Sequence, residues 1–345
     1  MDAPLQLALV GYGAAGRLFH APLIQHTCGV ALHTVVSSRR DDLRRQFTDV
    51  CIRDTLEQAL DDPGVDAVVI ATPNALHAPM AAQALEAGKH VLVDKPFALD
   101  SGQARELLQL AEERQRICTV FQNRRFDSDF LTLQALLADG VLGDIAECHV
   151  HFDRFRPQVR SRWREQDAPG SGLWYDLAPH LLDQMLVLFG LPSAITVDLG
   201  CQRGSGGVDY FHAVLHYPRM RAFLHAGSLV TAPGARYRVH GTAGSWLKHG
   251  QDVQEAQLNA GVAPGAPGWG LDPRHGEHCW VDGAGELRRR SVDTVRGEYR
   301  RIYRRFAEAV AGRGAPEVTP LQALQVMQLL DAGRLSAEQG RRVLL

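Results

Sequence analysis

The sequence predicts an α/β fold in two parts: an N-terminal doubly wound parallel sheet, then a C-terminal α/β domain with an open, mostly antiparallel sheet. Three observations carry this prediction. Apolar strand patterns alternate with helical ones from residue 5 to about 121, the later strands are longer and alternate strictly between apolar and polar, and a glycine motif joins the first strand to the first helix. At 345 residues the chain exceeds one ordinary core, so two domains are expected, 1–121 and 122–345, with the terminal helix a candidate to pack back on the first.

The first strand, Leu5-Gln-Leu-Ala-Leu-Val10, runs into Gly11-Tyr12-Gly13-Ala14-Ala15-Gly16 and then into a helical pattern. Gly11 permits a tight turn, Gly13 lets the backbone approach a pyrophosphate, and Gly16 lets the helix pack close to its strand. This is the Rossmann dinucleotide fingerprint in its proper strand-turn-helix setting, with phosphates expected at the helix N-terminus. The plainer alternative is a glycine-rich turn.

The second strand, Ala31 to Val36, closes on Ser37-Ser38-Arg39-Arg40. An acid here would grip the ribose 2′-hydroxyl of NAD, whereas hydroxyls and an arginine suit the 2′-phosphate of NADP. NADP(H) is therefore expected, with NAD(H) as the lesser reading. That reading rests on Asp41 and Asp42, which a helix's first turn would also favour. Val65 to Ala71 is the near-continuous apolar run of a buried parallel strand, Met80 to Ala87 a helix stopped by Gly88, and His90 to Asp94 the next strand. Ser101 to Arg116 reads as a helix and Ile117 to Phe121 as the last strand of the first domain.

A helix over Ser128 to Ala138 precedes alternating strands at Ile145 to Phe155, Ile195 to Gly200, Phe211 to Tyr217, Met220 to Gly227 and Tyr237 to Gly241. Such alternation indicates a sheet with one face on helices and the other open to a partner. Gly261 to Gly270 is a loop, unusual in holding Trp269, and helices over Tyr299 to Ala311 and Leu321 to Ala337 finish the chain.

Composition narrows the function classes. The apolar fraction of 45% and charged fraction of 22% are those of a soluble globular protein, and a net charge of −2 offers no field for nucleic acid or an anionic membrane. The arginine-rich 288–305 segment reads as a solvated helix face. No apolar run approaches a bilayer span, and the first residues read as a strand rather than a basic-then-apolar leader, so a cytoplasmic location is expected. The six cysteines are scattered without a C-x-x-C pair, which argues against a disulfide framework and a cysteine zinc site.

Three further segments carry chemistry where an α/β protein places ligands, beyond strand ends. Thr72-Pro73-Asn74-Ala-Leu-His77 follows the buried strand, although Pro and a helix-capping Asn also suit a plain turn. In Asp94-Lys95-Pro96, a lysine can stabilise a developing alkoxide; a surface lysine beside a turn proline is the equal alternative. In Gly172-Leu-Trp-Tyr-Asp176-Leu-Ala-Pro179-His180, the proline marks a helix's first turn, so Asp176 and His180 share one face near its N-terminus. There the dipole favours neutral imidazole and the carboxylate opposes it, a balance suited to acid/base catalysis. A capping Asp beside a packed His would look the same.

Other clusters point less clearly. His149 and His151 share a strand face and His275, His278 and Cys279 lie in a loop, but neither group shows a ligand set at metal spacing, and no metal is expected. Arg124, Arg125, Arg154 and Arg156 could hold a polyol or a carboxylate, or bridge domains. Ser171 and Ser228 lack a nucleophile elbow, so acyl transfer is not supported.

In this order the motifs resemble the Gfo/Idh/MocA oxidoreductase family over nearly the whole chain: G-x-G-x-x-G at Gly11 to Gly16, T-P-N-x-x-H at Thr72 to His77, the family's E-K-P as Asp94-Lys95-Pro96, and G-x-x-x-D-x-x-x-H at Gly172, Asp176 and His180. Gln122 to Leu131, His151 to Pro157, Arg162 to Glu165, Trp174 to Gln184 and Asp209 to His212 look like the branch that contains NADP-dependent scyllo-inositol dehydrogenases. The resemblance implies a hydride transfer between nicotinamide and a secondary hydroxyl of a polyol or sugar. It implies Lys95, Asp176 and His180 as the catalytic group and no metal. It also implies nucleotide contacts from Trp163, Arg164 and Tyr299, and dimers or tetramers formed through the C-terminal sheet; nucleotide contacts are further expected from Asp94 and Asn123, and substrate contacts from Arg124, Arg156 and Tyr237. Aldose or anhydroketose reduction, or a nucleotide-sensing sugar-pathway regulator without turnover, are the other activities this fold serves.

Overall fold

Parallel strands need crossovers, and the first half of the chain supplies them. A computed structural model describes residues 3–204 and 206–345. Strand β1 (Leu5–Val10) leads into a helix wound with a wide π turn over Gly16–His20 and continued as α1 (Ala21–Gln25). Then come β2 (Val30–Val36), α2 (Arg40–Gln46), β3 (Cys51–Arg53), α3 (Leu56–Leu60), β4 (Ala67–Ile70), α4 (His77–Glu86), β5 (His90–Val93), α5 (Ser101–Glu113) and β6 (Cys118–Val120). All neighbours pair in parallel in the order β3-β2-β1-β4-β5-β6. That is the doubly wound order whose direction reverses beside β1, where ligands bind outside the strand ends. Strand β4 is buried throughout and β5 at all but its first residue, as parallel strands covered on both faces must be. Thr55 and Asp100 cap α3 and α5 by accepting the amides of Gln58 and Gln103.

The second half continues with α6 (Ser128–Ala138), β7 (Ile145–His151), α7 (Gly172–Phe189), β8 (Ala194–Gly200), β9 (Tyr210–His216), β10 (Arg221–Gly227), β11 (Tyr237–Gly241) and β12 (Ser245–Lys248). After α8 (Gln254–Asn259) follow β13 (Gly276–Val281), β14 (Leu287–Val292), α9 (Arg301–Val310), α10 (Pro320–Gln339) and β15 (Val343–Leu344). The open second sheet has the order β14-β13-β12-β11-β7-β10-β9-β8-β15, antiparallel except for the β7–β10 pair. Buried and half-exposed residues alternate along β9 and β10. The buried row lies under α7, where the Trp174 ring meets Phe211 edge-on at 5.3 Å between centroids and Trp174 Nε1 donates to the Leu330 carbonyl.

By contacts the chain forms two units. One comprises Met1–Asn123, Gln254–Trp269 and Glu298–Met327, the other Arg124–Val253, Gly270–Gly297 and Gln328–Leu345. Trp269, in the glycine-rich loop, is fully buried in the first. None of the six cysteines forms a disulfide, and no described helix is long and apolar enough to cross a membrane.

Three expectations need correction. Pro179 does not mark a first turn: α7 starts at Gly172 and the proline lies inside it. An interior proline costs about 3 kcal/mol, which the burial of nearly every α7 side chain outweighs. His180 therefore stands two turns past the helix start, beyond reach of the N-terminal dipole effect. Second, the segment after residue 287 opens as strand β14 rather than a helix face; its first five residues are exposed, so no alternation betrays it. Third, His278 and Cys279 lie on strand β13, with His278 buried, rather than in a loop.

A Cβ on Gly16 would overlap the Gly11 carbonyl, a backbone atom that cannot swing aside. Gly16→Ala is expected to destabilise the ligand-free protein by about 1–3 kcal/mol through overpacking, read as a lower urea midpoint. An unchanged midpoint would show that this approach is not tight.

Candidate active site

At the end of β1 the fingerprint glycines divide into two kinds. Gly11 has φ +97°, and a Cβ there would stand 2.6 Å from the Ala71 carbonyl oxygen, while Gly16 is closed by the Gly11 carbonyl. Both are demanded by the protein itself. A Cβ on Gly13 would meet nothing within 4 Å, so the space it leaves open serves whatever approaches the turn from outside. Arg17 N–H bonds the Gly13 carbonyl at 3.0 Å, and the helix offers no carbonyl to the amides of Ala14, Ala15 and Gly16 before it. Open space beside unsatisfied amides at a helix start fits a dinucleotide pyrophosphate. The Tyr12 side chain is buried, edge-on to Phe47, with its hydroxyl on Gln46 Oε1. Only its backbone is left for a nucleotide.

At the end of β2 the Ser37 hydroxyl accepts the Arg39 amide at 3.2 Å. Arg40 is engaged with Asp54, and Asp42 with Arg45. Ser38 and Arg39 are exposed, and among the described residues Arg39 has no ion pair. Asp41 and Asp42 occupy the first turn of α2, as the dipole argument expects.

The loops after β4 and β5 are tied to each other. His77 is fully buried, with Nδ1 2.7 Å from the Pro96 carbonyl oxygen and Nε2 3.0 Å from that of Thr72. Its ring thus lies between the Thr72-Pro73-Asn74 turn and the Lys95-Pro96 turn, in contact with a carbonyl of each. Asn74 is buried and Lys95 half-buried, and the Lys95–Pro96 bond is cis. Asp94 Oδ1 accepts the Lys95 amide at 2.8 Å.

Asp94 Oδ2 also faces His20 Nε2 at 3.8 Å, and His20 Nδ1 lies 2.6 Å from the Tyr303 hydroxyl. Burial raises the Asp94 pKa, but the His20 ring and the charges of Lys95 and His77 outweigh it and bring the pKa down to about 2. Burial, then the Asp94 charge, holds the Tyr303 phenol well above its ordinary range. Sequence reasoning missed both partners. His20 sits four residues beyond Gly16 on the face that glycine turns to the sheet, a signal the helical period contains. Tyr303 is 283 residues from His20 in sequence, and no local pattern announces it.

The second unit carries Asp176 and His180 one turn apart on α7. Asp176 Oδ2 lies 3.4 Å from Arg154 Nη1, and its Oδ1 is 3.8 Å from Arg164 Nη1. Arg164 also stacks over the ring of Trp163. Burial, then the charges of Arg154, Arg160 and Arg162, lowers the Arg156 pKa, while Asp176 opposes the shift. This end of α7 is thus a cationic patch around one carboxylate. His180 is buried.

The other substrate candidates sit deeper. Arg124 is buried against the Phe152 ring and 3.4 Å from Asp127. Arg125 pairs with Asp183 through two bonds of 2.6 and 2.8 Å. Tyr237 is fully buried, its hydroxyl donating to Gln184 Oε1 at 2.7 Å, so it secures α7 to the sheet and is removed from the substrate set. In the first unit Asn123 is buried in a short turn, and Tyr299 is fully buried with its amide on Gln254 Oε1.

A doubly wound sheet, a glycine turn with open space for a pyrophosphate and a lysine at a strand end define a dinucleotide-binding protein of the Rossmann class. Residues 5–122 match the NAD-binding Rossmann fold of the Gfo/Idh/MocA oxidoreductases, and residues 134–345 match that family's C-terminal alpha/beta domain. The chain belongs to the Gfo/Idh/MocA oxidoreductase family, as its motifs suggested. It is 49% identical over 339 residues to the uncharacterized oxidoreductase YdgJ of Escherichia coli, covering 98% of each chain. It is 35% identical over 344 residues to scyllo-inositol 2-dehydrogenase (NADP(+)) IolW of Bacillus subtilis, covering 99% of this chain and 96% of that one. The crystal structure of an oxidoreductase from Bacillus cereus superposes with a TM-score of 0.91 at 30% identity, covering 99% of this chain and 98% of that one.

Because the folded-state pKa of Asp94 lies below the unfolded value of about 3.9, its ionised form contributes stability at pH 5 and above, and this is lost as pH falls from about 4 toward 2. The contribution is on the order of 2 kcal/mol. Asp94→Asn should lower the urea midpoint at pH 6, and the gap from wild type should narrow toward pH 3. A gap constant across that range would remove the charge from the account.

Proposed function

We propose that this chain is an NADP(H)-dependent oxidoreductase that moves a hydride between nicotinamide and a secondary hydroxyl of a polyol or sugar, with scyllo-inositol the first substrate to test. The observation that carries the cofactor choice is the exposed Arg39, without an ion pair among the described residues, beside Ser37 and Ser38, where a 2′-phosphate would sit. The relative named as an NADP-dependent scyllo-inositol dehydrogenase supports both choices. Nucleotide contacts are assigned to the backbone of Gly11 to Gly16, to Ser37, Ser38 and Arg39, to Thr72, Pro73 and Asn74, to Asp94, Lys95 and Asn123, and to Trp163 and Arg164. Substrate contacts are assigned to Arg124 and Arg156. Residues 1–121 are taken as the nucleotide domain and 122–345 as the substrate domain, whose open sheet face joins copies into dimers or tetramers.

When bound, nicotinamide supplies the hydride acceptor or donor. His180 takes the proton of the substrate hydroxyl, and Lys95 donates a hydrogen bond to the same oxygen and steadies its developing charge. Asp176, held by Arg154 and Arg164, fixes a negative charge one turn from His180. Reduction runs the same proton steps backward.

A panel of inositols, aldoses and anhydroketoses with NADP and NAD, followed by nicotinamide absorbance, tests the reading directly. Ser38→Asp with Arg39→Ala should raise the KM for NADP about tenfold or more and improve use of NAD, since a charge-assisted pair is worth roughly 1.5–3 kcal/mol. An unchanged ratio of kcat/KM for the two nucleotides would return the assignment to NAD. His180→Ala should lower turnover by roughly 10²- to 10⁴-fold and abolish the fall of the oxidation rate at acidic pH. If both rate and acidic limb survive, another group is the base.

A further inference from the structure

The open face of the second sheet carries a row of imidazoles. Register places His225 of β10 beside His151 of β7 on one side and His212 of β9 on the other. Beyond His151 the chain keeps pairing with β10, with Arg154 N–H on the Gly227 carbonyl, so Asp153 falls two residues along on the face of His151. His151, Asp153, His225 and Gly227 are then the four corners of one square on two neighbouring strands. Three corners bear metal-binding side chains, and their ligand atoms all lie within 4.8 Å of one another.

A further observation points to a ligand: the Asp153 side chain is only 4% exposed, yet among the described residues its Oδ1 has no hydrogen-bond partner. A buried carboxylate oxygen left so is costly unless something cationic meets it. The fourth corner, Gly227, carries no side chain of its own; a Cβ there would stand 3.2 Å from Val230 Cγ2, 3.6 Å from His225 Nε2 and 3.9 Å from Asp153 Oδ1. The separations suit a small ion: His151 Nδ1 to Asp153 Oδ2 is 3.4 Å and His225 Nε2 to Asp153 Oδ1 is 3.3 Å. Ligand bonds of about 2.0–2.2 Å at tetrahedral angles put ligand atoms about 3.3–3.6 Å apart.

We propose that His151, Asp153 and His225 bind a late first-row divalent cation, zinc by their donor chemistry, on the open face of the second sheet. Two imidazole nitrogens and one carboxylate oxygen suit zinc better than magnesium or calcium, with water completing the shell. The site lies on the face opposite α7, so its role is to cross-link β7 and β10 rather than to take part in hydride transfer. All three ligands come from one chain, so it forms with or without a second copy. Spacing along the chain does not show such a set, because His151 has its carboxylate two residues on while the second imidazole arrives across the sheet.

The test uses full-length protein freed of any tag and of metal by chelator, titrated with zinc at pH 7.5 against a chromophoric chelator. One zinc per chain is expected, with a rise in melting temperature. Asp153→Asn and His225→Gln should each weaken binding at least about a hundredfold and abolish the thermal shift, while His275→Ala, an exposed histidine paired with Asp293, should change neither. Metal-free melting curves establish that each variant is folded. If one variant fails to fold, the other decides. Cobalt(II) added to wild type should give visible bands of a low-coordinate site that Asp153→Asn removes. Absence of stoichiometric zinc binding, or binding that survives both substitutions, would overturn the site.

Discussion

The burial of α7 constrains the second unit more than any other interaction. A helix that is apolar nearly all round must find a partner for each polar group it carries into the interior, because an unmet one costs about 1–3 kcal/mol. Asp183 is met by the two-pronged guanidinium of Arg125, Gln184 by the Arg124 carbonyl and the Tyr237 hydroxyl, and Trp174 by the Leu330 carbonyl. Each bond has its own direction, so together they forbid the helix to slide or roll on the sheet. Asp176 and His180 inherit that fixity. Their positions are set by contacts made elsewhere on the same helix.

The first unit solves the same problem by shortening distances rather than filling volume. Glycine at positions 11 and 16 brings turn, helix and the loop after β4 into backbone contact, and His77 then clasps the two strand-end loops through their carbonyls. Asp94 joins this arrangement from below: it holds the Lys95 amide and is in turn faced by His20, which Tyr303 anchors. The lysine's backbone is thus positioned by a buried chain of polar groups that starts on the fingerprint helix.

What the sequence disclosed and what it hid divide along physical lines. Periodic, well-buried elements were legible: β1, β4, β11 and α6 fall where alternation or continuous apolarity placed them. So was the pyrophosphate turn, since its glycines act over six residues. Elements lacking a one-sided burial pattern were not, such as the exposed β14 and the brief β3, α3 and β15. Pro179 misled because propensity is local whereas the burial that overrides it is tertiary. Among candidate residues, chain spacing identified groups on one element, Asp176 with His180. It could not say that Tyr237 and His77 spend their polar atoms inside the protein, or that His20 meets Tyr303.

The two ends of the second sheet show how a wide, open sheet avoids growing. At one edge, β14 turns Arg288, Arg289 and Arg290 outward in succession, two of them paired to Asp282 and Glu277. At the other, β15 is only Val343–Leu344. A foreign strand docking on the first would have to displace a bulky cationic fringe, and on the second would find a template too short to hold it. Both borders thus discourage strand addition, and the broad side is the larger surface left to other molecules. Destabilisation that frees either border, and not wear on the face, is then the event that would open this protein to fibrous self-association.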